Sequence, residues 1–178
     1  MSLDNGSNPV NSSAELDRRF SIAPMMDWTT SDYRVFARKL SKNTLLYTEM
    51  VTTGALLQGN HPERFLRYDN CEHPIALQLG GSDAVALGKC AKMAQQAGFD
   101  EVNLNVGCPS DRVQNSLIGA CLMAYPDKVK DAMRAMQDNC DIPVTIKHRI
   151  GLDDQEDYSV VRDFVGDVAT TGVTTFIV

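Results

Sequence analysis

The segment Glu101-Val-Asn-Leu-Asn-Val106 constrains the fold of this chain more than any other. Its alternation puts Asn103 and Asn105 on one face of a strand and Val102, Leu104 and Val106 on the other. A strand polar on its second face ordinarily turns that face to water. The flanking segments carry helical patterns, however, so both faces must be covered. A barrel resolves the conflict, because its strands give one face to surrounding helices and the other to a lumen. The strand then breaks at Gly107 and presents Cys108, fixed from behind by Pro109. A thiol on a rigid strand end over a polar lumen is well placed for chemistry. Burial as a small hydrophobe is the commoner fate of cysteine, and spacing alone leaves both readings open.

The rest of the chain repeats the alternation of strand and helix. Strands are expected at Phe20–Met25, Leu45–Met50, Pro74–Leu79, Glu101–Val106, Pro143–Lys147 and Thr174–Val178. Helices are expected near Ser31–Leu40, Asp83–Ala97, Pro126–Asn139 and Gln155–Thr170. Ser82 or Asp83 can cap the second helix, Gly98 can end it, and Pro126 suits the first turn of the third. Between Thr52 and Glu72 the connection reads as irregular, with one or two short helical turns. Such alternation implies a parallel sheet with helical crossovers. A doubly wound open sheet shares it, but no Gly-rich phosphate loop follows the first strand. The fold class expected is α/β, a TIM (β/α)8 barrel. A complete barrel of this kind takes about 250 residues, against 178 here. The chain is therefore expected to be a fragment carrying about the first six strands, ending within an apolar strand.

Strand parity sorts the polar residues. Ile75, Leu77 and Leu79 share one face, with Ala76 and Gln78 on the other. Val144 and Ile146 oppose Thr145, Lys147 and Arg149, and Tyr47 shares a face with Glu49. If the apolar faces meet helices, Glu49, Gln78, Asn105 and Lys147 converge inside the barrel near the strand C-terminal ends, where active sites of such barrels lie. Any one could be a satisfied buried polar group; four at one rim favour a site. Lys147 suits the electron-accepting edge of a flavin or, as a nucleophile, a Schiff base. Gln78 offers a donor and an acceptor to an amide-like ring edge. Met25 and Met26 read first as core filling.

Net charge is −6, awkward for a nucleic-acid partner. Six acids against Arg162 give residues 151–178 a charge of −5, leaving −1 over the remainder. Phosphate binding needs a basic surface rather than a basic total, and Arg112, Lys128, Lys130 and Arg134 are the scattered candidates. The five cysteines form no C-x-x-C pair, which argues against a zinc ribbon and a disulfide framework. No metal is expected. The Ser/Asn/Gly-rich start lacks a signal-peptide core, and no run is long enough to span a bilayer. No membrane role and a cytoplasmic location are expected.

Five ordered motifs resemble one family. Ala23-Pro-Met-Met-Asp-Trp-Thr29, Leu45-Leu-Tyr-Thr-Glu-Met-Val-Thr-Thr-Gly54, Ala76-Leu-Gln-Leu-Gly-Gly81, Asn105-Val-Gly-Cys-Pro-Ser110 followed by Gly119-Ala-Cys-Leu-Met123, and Thr145-Ile-Lys-His-Arg-Ile-Gly151 are similar to the flavin-dependent tRNA-dihydrouridine synthases, closest to the A-type branch. The resemblance runs from about Arg19 to the last residue. It implies NADPH-dependent, FMN-mediated reduction of the C5–C6 double bond of D-loop uridines in tRNA. FMN contacts map onto Pro24, Met25, Met26, Gln78 and Lys147, a substrate contact onto Asn105, and the proton-donating cysteine onto Cys108. The base must leave its stack to be reduced.

On this reading residues 1–18 form a disordered tail and 19–178 an incomplete FMN-binding barrel. The C-terminal helical tRNA-binding domain and most of the phosphate site are absent. The fragment alone is expected to be inactive, and the complete protein a monomer. Ser116 departs from the family's usual glycine after Asn115. Other classes remain: an FMN barrel reducing a free pyrimidine or an enone, a Schiff-base aldolase using Lys147, and a non-catalytic RNA-binding module, which the acidic balance disfavours.

Overall fold

Six parallel strands, hydrogen-bonded in the order β1-β2-β3-β4-β5-β6, form the sheet of the computed structural model. They are β1 (Ser21–Ile22), β2 (Leu45–Thr52), β3 (Ile75–Gly80), β4 (Glu101–Val106), β5 (Val144–His148) and β6 (Phe176–Ile177). The structure describes residues 16–109, 117–151 and 157–178. Sequential order without a reversal is what a barrel requires, whereas a doubly wound sheet would switch direction partway. The sheet is the curled, open portion of a TIM-type barrel, with helices between its strands.

Those helices are α1 (Ser31–Leu40), α2 (Thr53–Leu57), α3 (Ala84–Gln96), α4 (Pro126–Gln137) and α5 (Tyr158–Ala169). Local chemistry sets their ends. Asp83 accepts from the Ala86 amide to start α3, and Gly98 at φ +89° ends it. Pro126 opens α4, and Asp157 caps α5 by accepting from Ser159 N. The connection from Thr52 to Glu72 carries α2 and two 3-10 turns, Pro62–Phe65 and Asn70–Glu72. A further 3-10 segment, Gly119–Ala124, was not expected from the sequence. Among the described residues no helix is long and apolar enough to cross a membrane.

Two cores sit on the two faces of the sheet. Ile75, Leu77, Leu79, Val102, Leu104, Val106 and Ile146 pack outward against Leu87, Ala91, Met133 and Met136 of α3 and α4. Burying each large aliphatic side chain there contributes about 1.5–3 kcal/mol. Among the described residues the lumen face holds a small apolar cluster, Leu45, Tyr47 and Ala76, with Ile177 beside it.

Three differences from the sequence expectation have physical causes. β1 and β6 are two residues long rather than five or six, because each pairs with one neighbour alone, β2 or β5. In β2 the register slips between Tyr47 and Met50, so Tyr47 pairs with Ala76 but Met50 pairs with Gln78. This bulge ends the expected alternation, which put Tyr47 and Glu49 on one face. Beyond it Val51 belongs to the outer core. Finally Arg18, the last residue of the expected tail, is held by an ion pair with Glu101. The remaining expectations for residues 1–15, and those at Arg112, Asn115 and Ser116, lie outside the described residues.

Candidate active site

A continuous run of hydrogen bonds climbs the lumen from the strand N-terminal ends to the C-terminal rim. Glu101, fully buried at the start of β4, accepts from four donors at its base. Arg18 gives Nε at 3.0 Å and Nη2 at 2.6 Å to Oε2. The Tyr47 and Thr145 hydroxyls each donate to Oε1 at 2.7 Å. Tyr47 and Glu101 both pair with Ala76, from opposite sides, and the small alanine leaves the phenol a clear path between them. Burial, reinforced by the adjacent Glu101 charge, raises the Tyr47 pKa and keeps the phenol a donor.

From Thr145 the run continues through three amides. Asn103 Nδ2 donates to Thr145 Oγ1 at 2.9 Å, and Gln78 Nε2 to Asn103 Oδ1 at 2.8 Å. Asn105 Nδ2 donates to Gln78 Oε1 at 2.8 Å. The Gly107 and Cys108 amides then donate to Asn105 Oδ1 at 3.1 and 3.0 Å. The sheet register brings these groups within reach: Gln78 pairs with Asn103, and Asn103 with Thr145. At the β2 bulge the Gln78 amide donates instead to the Thr48 hydroxyl at 3.1 Å, so its backbone stays satisfied.

Cys108 is held from two sides. Its N–H is bound by Asn105, and its carbonyl accepts from Ala120 N at 2.9 Å. Gly119, at φ +78°, lies directly against it, and a β-carbon there would run into the Cys108 carbonyl oxygen. The half-buried thiol thus stands on a backbone fixed by both β4 and the 3-10 segment after it. Cys90 and Cys140 are in other surroundings. Burial against the helices pushes the Cys90 thiol up to about 11 and raises Cys140 as well.

The sequence-predicted residues assemble at one end of the strands. Asn105 joins Gln78 directly, contacts the Cys108 backbone, and pairs in register with Lys147 on β5. Pro24, Met25 and Met26 lie on the loop after β1. Thr29 N and Trp28 N both donate to Met25 O, and the Thr29 hydroxyl bonds the Met25 backbone on both sides. Met25 and Met26 are 39% and 53% exposed here and lie outside both apolar clusters. Glu49, within the bulge, accepts from Asp27 N at 2.7 Å and ties that loop to β2. Among the described residues, no group of three or more His, Cys, Asp or Glu is arranged to hold a metal.

Sequence reasoning missed the base of the lumen. Parity signalled Glu101 and Thr145 there, since both share a face with residues already assigned inward; Arg18 carried no signal. His148 was also passed over. It faces outward against the Phe164 and Phe176 rings, and burial lowers its pKa. A cleft of about 1140 Å3 lined by His148, Tyr158, Val161, Val165 and Phe176 lies apart from the polar run.

A model of the dihydrouridine synthase family (Dus) matches residues 21–178. Curated relatives carry the name tRNA-dihydrouridine(20/20a) synthase. One from Pseudomonas aeruginosa is 60% identical over 170 residues, 96% of this chain and 51% of the relative. One from Pseudomonas syringae pv. tomato is 59% identical across the whole chain and 53% of its own length. One from Escherichia coli K12 is 58% identical over 86% of the chain and 44% of the relative. The chain spans about half the length of the curated relatives it matches. With a family model covering nearly all of the barrel portion and the motif residues gathered at one rim, the chain belongs to the dihydrouridine synthase family.

Proposed function

We propose that the complete protein reduces uridines of the tRNA D-loop to 5,6-dihydrouridine, at positions 20 and 20a as the names of its relatives indicate. FMN is the cofactor, NADPH the reductant and the cytoplasm the setting. The observation that carries this reading is the convergence of Gln78, Asn105, Cys108 and Lys147 at the C-terminal end of adjacent strands.

The donor set fits a flavin. Among the described residues Gln78 retains one Nε2 hydrogen and one Oε1 lone pair beyond its bonds to Asn103 and Asn105. That is the pairing an imide-like ring edge needs. Lys147 brings a cation beside Asn105, which favours negative charge on a ring that has accepted electrons. The exposed loop of Pro24, Met25 and Met26 offers an adaptable wall. When bound, FMN supplies to uracil C6 the hydride taken from NADPH.

The chain's own residues do the rest. Asn105 holds the base, and Cys108 gives its thiol proton to C5, so the double bond gains one hydride and one proton. A general acid must stay protonated until transfer and must not shift; the two-sided clamp on the Cys108 backbone supplies that fixed position.

The test is substrate choice. The complete protein with NADPH should form dihydrouridine in unmodified tRNA and leave free uridine and simple enones unreduced. Equal turnover of the free compounds would replace this reading with a small-molecule reductase.

A further inference from the structure

The loop after β1 is closed by bonds that leave its tip undecided. Trp28 N and Thr29 N both donate to Met25 O, and the Thr29 hydroxyl bonds the Met25 backbone on both sides. The far arm is anchored as well. Thr29 is fully buried, and Arg34, itself paired with Glu72, donates from Nη1 to the Thr29 carbonyl. Between these fixed arms Met25 to Trp28 form a β-turn, with Met26 and Asp27 as its central residues.

Two backbone shapes can span the same arms. Type I and type II turns share the bond from the fourth residue to the first and differ in the central peptide, which is rotated by about half a turn. Type I suits most residues, whereas type II puts the third residue at positive φ, where glycine is usual. Asp27 nevertheless sits at φ +63°, and Met26 is not at positive φ, which is the type II pattern. Among the described residues one group meets the N–H of the Met26–Asp27 peptide: Glu49 Oε1, at 2.7 Å. A charge-assisted bond of this kind can offset the cost of a left-handed aspartate.

The bulge in β2 puts that carboxylate in place. Bulges bend a strand and re-aim a side chain. This one lies between Tyr47 and Met50. The Thr48 hydroxyl pins it, accepting from Gln78 N at 3.1 Å and donating to the Glu49 carbonyl at 2.8 Å. Glu49 thus reaches the turn from a backbone tied to β3.

We propose that Glu49 is a positioning residue that holds the Met26–Asp27 peptide in the type II orientation, and so fixes which backbone atom this turn presents to the flavin. The inference rests on the proposed FMN contacts at Pro24, Met25 and Met26. Without the carboxylate the peptide turns over to type I, relieving Asp27 and exchanging the places of the Met26 carbonyl and the Asp27 N–H. A ring resting on the turn then meets a donor where it met an acceptor, or the reverse, and a polar group loses its partner. Neither arm needs to move, so the bonds at Met25 and Thr29 do not prevent the flip.

The experiment measures FMN affinity of the complete apoprotein, with each variant's urea midpoint confirming that the protein titrated is folded. Glu49→Ala should raise the FMN Kd about tenfold, the equivalent of ~1.4 kcal/mol. Glu49→Gln keeps an oxygen that can accept from Asp27 N and should stay within about threefold of wild type. Asp27→Gly combined with Glu49→Ala is the decisive variant. Glycine takes positive φ at no steric cost, so type II no longer needs the carboxylate and affinity should return to within about threefold of wild type.

Wild-type affinity in Glu49→Ala would overturn the proposal. So would a Glu49→Gln as weak as Glu49→Ala, since the charge and not the hydrogen bond would then matter. A double variant as weak as Glu49→Ala would overturn it too, because Glu49 would be acting on the ligand and not through the turn. If Glu49→Ala does not accumulate as folded protein, Glu49→Met makes the same cut with the side-chain length kept and is read the same way. Lys147→Met keeps the flavin placement apart from the role of Glu49. Unchanged FMN affinity and potential in both Lys147→Met and Glu49→Ala overturn the placement and the proposal with it. A changed Lys147→Met beside a wild-type Glu49→Ala overturns the role of Glu49 alone.

Discussion

The two faces of β3, β4 and β5 are built from the same backbone and held by opposite means. Outward, Leu77, Leu79, Leu104, Val106 and Ile146 join one large apolar cluster in which each side chain touches several others. Inward, Gln78, Asn103, Asn105 and Thr145 each depend on two or three named partners. Apolar packing is non-directional and tolerates exchange at constant volume. A hydrogen-bonded run tolerates little, because each group is paired in one orientation. The outer face makes the sheet stable, and the inner face makes one geometry of it unique.

The largest effect expected is on the outer face. Leu104→Ala should lower unfolding stability by about 2–5 kcal/mol, through lost burial and a residual cavity. Leu104→Met should cost less than about 1.5 kcal/mol. The inner face should reverse that tolerance. Asn103→Leu keeps the branched four-atom skeleton but is bulkier, and it strips Gln78 Nε2 of its acceptor and Thr145 Oγ1 of its donor. A loss of about 1–3 kcal/mol per stranded buried group is expected. Urea midpoints of the three variants measure the contrast, and an Asn103→Leu cheaper than Leu104→Met would break it.

How much of this was legible in the sequence follows the same division. The alternation of Ile75-Ala-Leu-Gln-Leu79 and of Val102-Asn-Leu-Asn-Val106 assigned both faces of β3 and β4 correctly, because both strands are regular. It failed at β2, where Thr48 and Glu49 form a bulge that no periodicity announces. Nor did spacing signal that Arg18, 83 residues before its partner, closes the base of the lumen. The Gly119–Ala124 turn was hidden because its apolar run Gly-Ala-Cys-Leu-Met-Ala fits core packing as readily as a 3-10 segment. Gathering Gln78, Asn105, Cys108 and Lys147 at one rim needed only parity and motif order. The bonds that orient them needed coordinates.

His148 sharpens the comparison from the other side, as an ionisable group on the apolar face. Burial holds its pKa below the ordinary 6.5. The unfolded chain therefore binds a proton that the folded one refuses, and stability should fall as pH drops below about 6.5 toward the depressed value. His148→Leu should lose this component. Comparing the urea midpoints of the two proteins at about pH 7.5 and about pH 5.5 tests it, and an identical pH dependence would contradict it.

The smallest effect on stability is expected at Lys147, whose proposed role is in the site and not in the fold. Lys147→Met should leave the urea midpoint nearly unchanged in the complete protein while weakening FMN binding or lowering its reduction potential. Unchanged flavin occupancy together with an unchanged potential would remove Lys147 from the cofactor edge.

The central claim is that the inner face ends in a proton donor, and Cys108→Ala in the complete protein tests it most directly. Cys108 is held by backbone contacts that alanine retains, so the variant should fold, keep its FMN and be reduced by NADPH at close to the wild-type rate. Dihydrouridine formation in unmodified tRNA should fall by at least about 100-fold, the usual contribution of a positioned general acid. Wild-type dihydrouridine formation by Cys108→Ala would contradict the account.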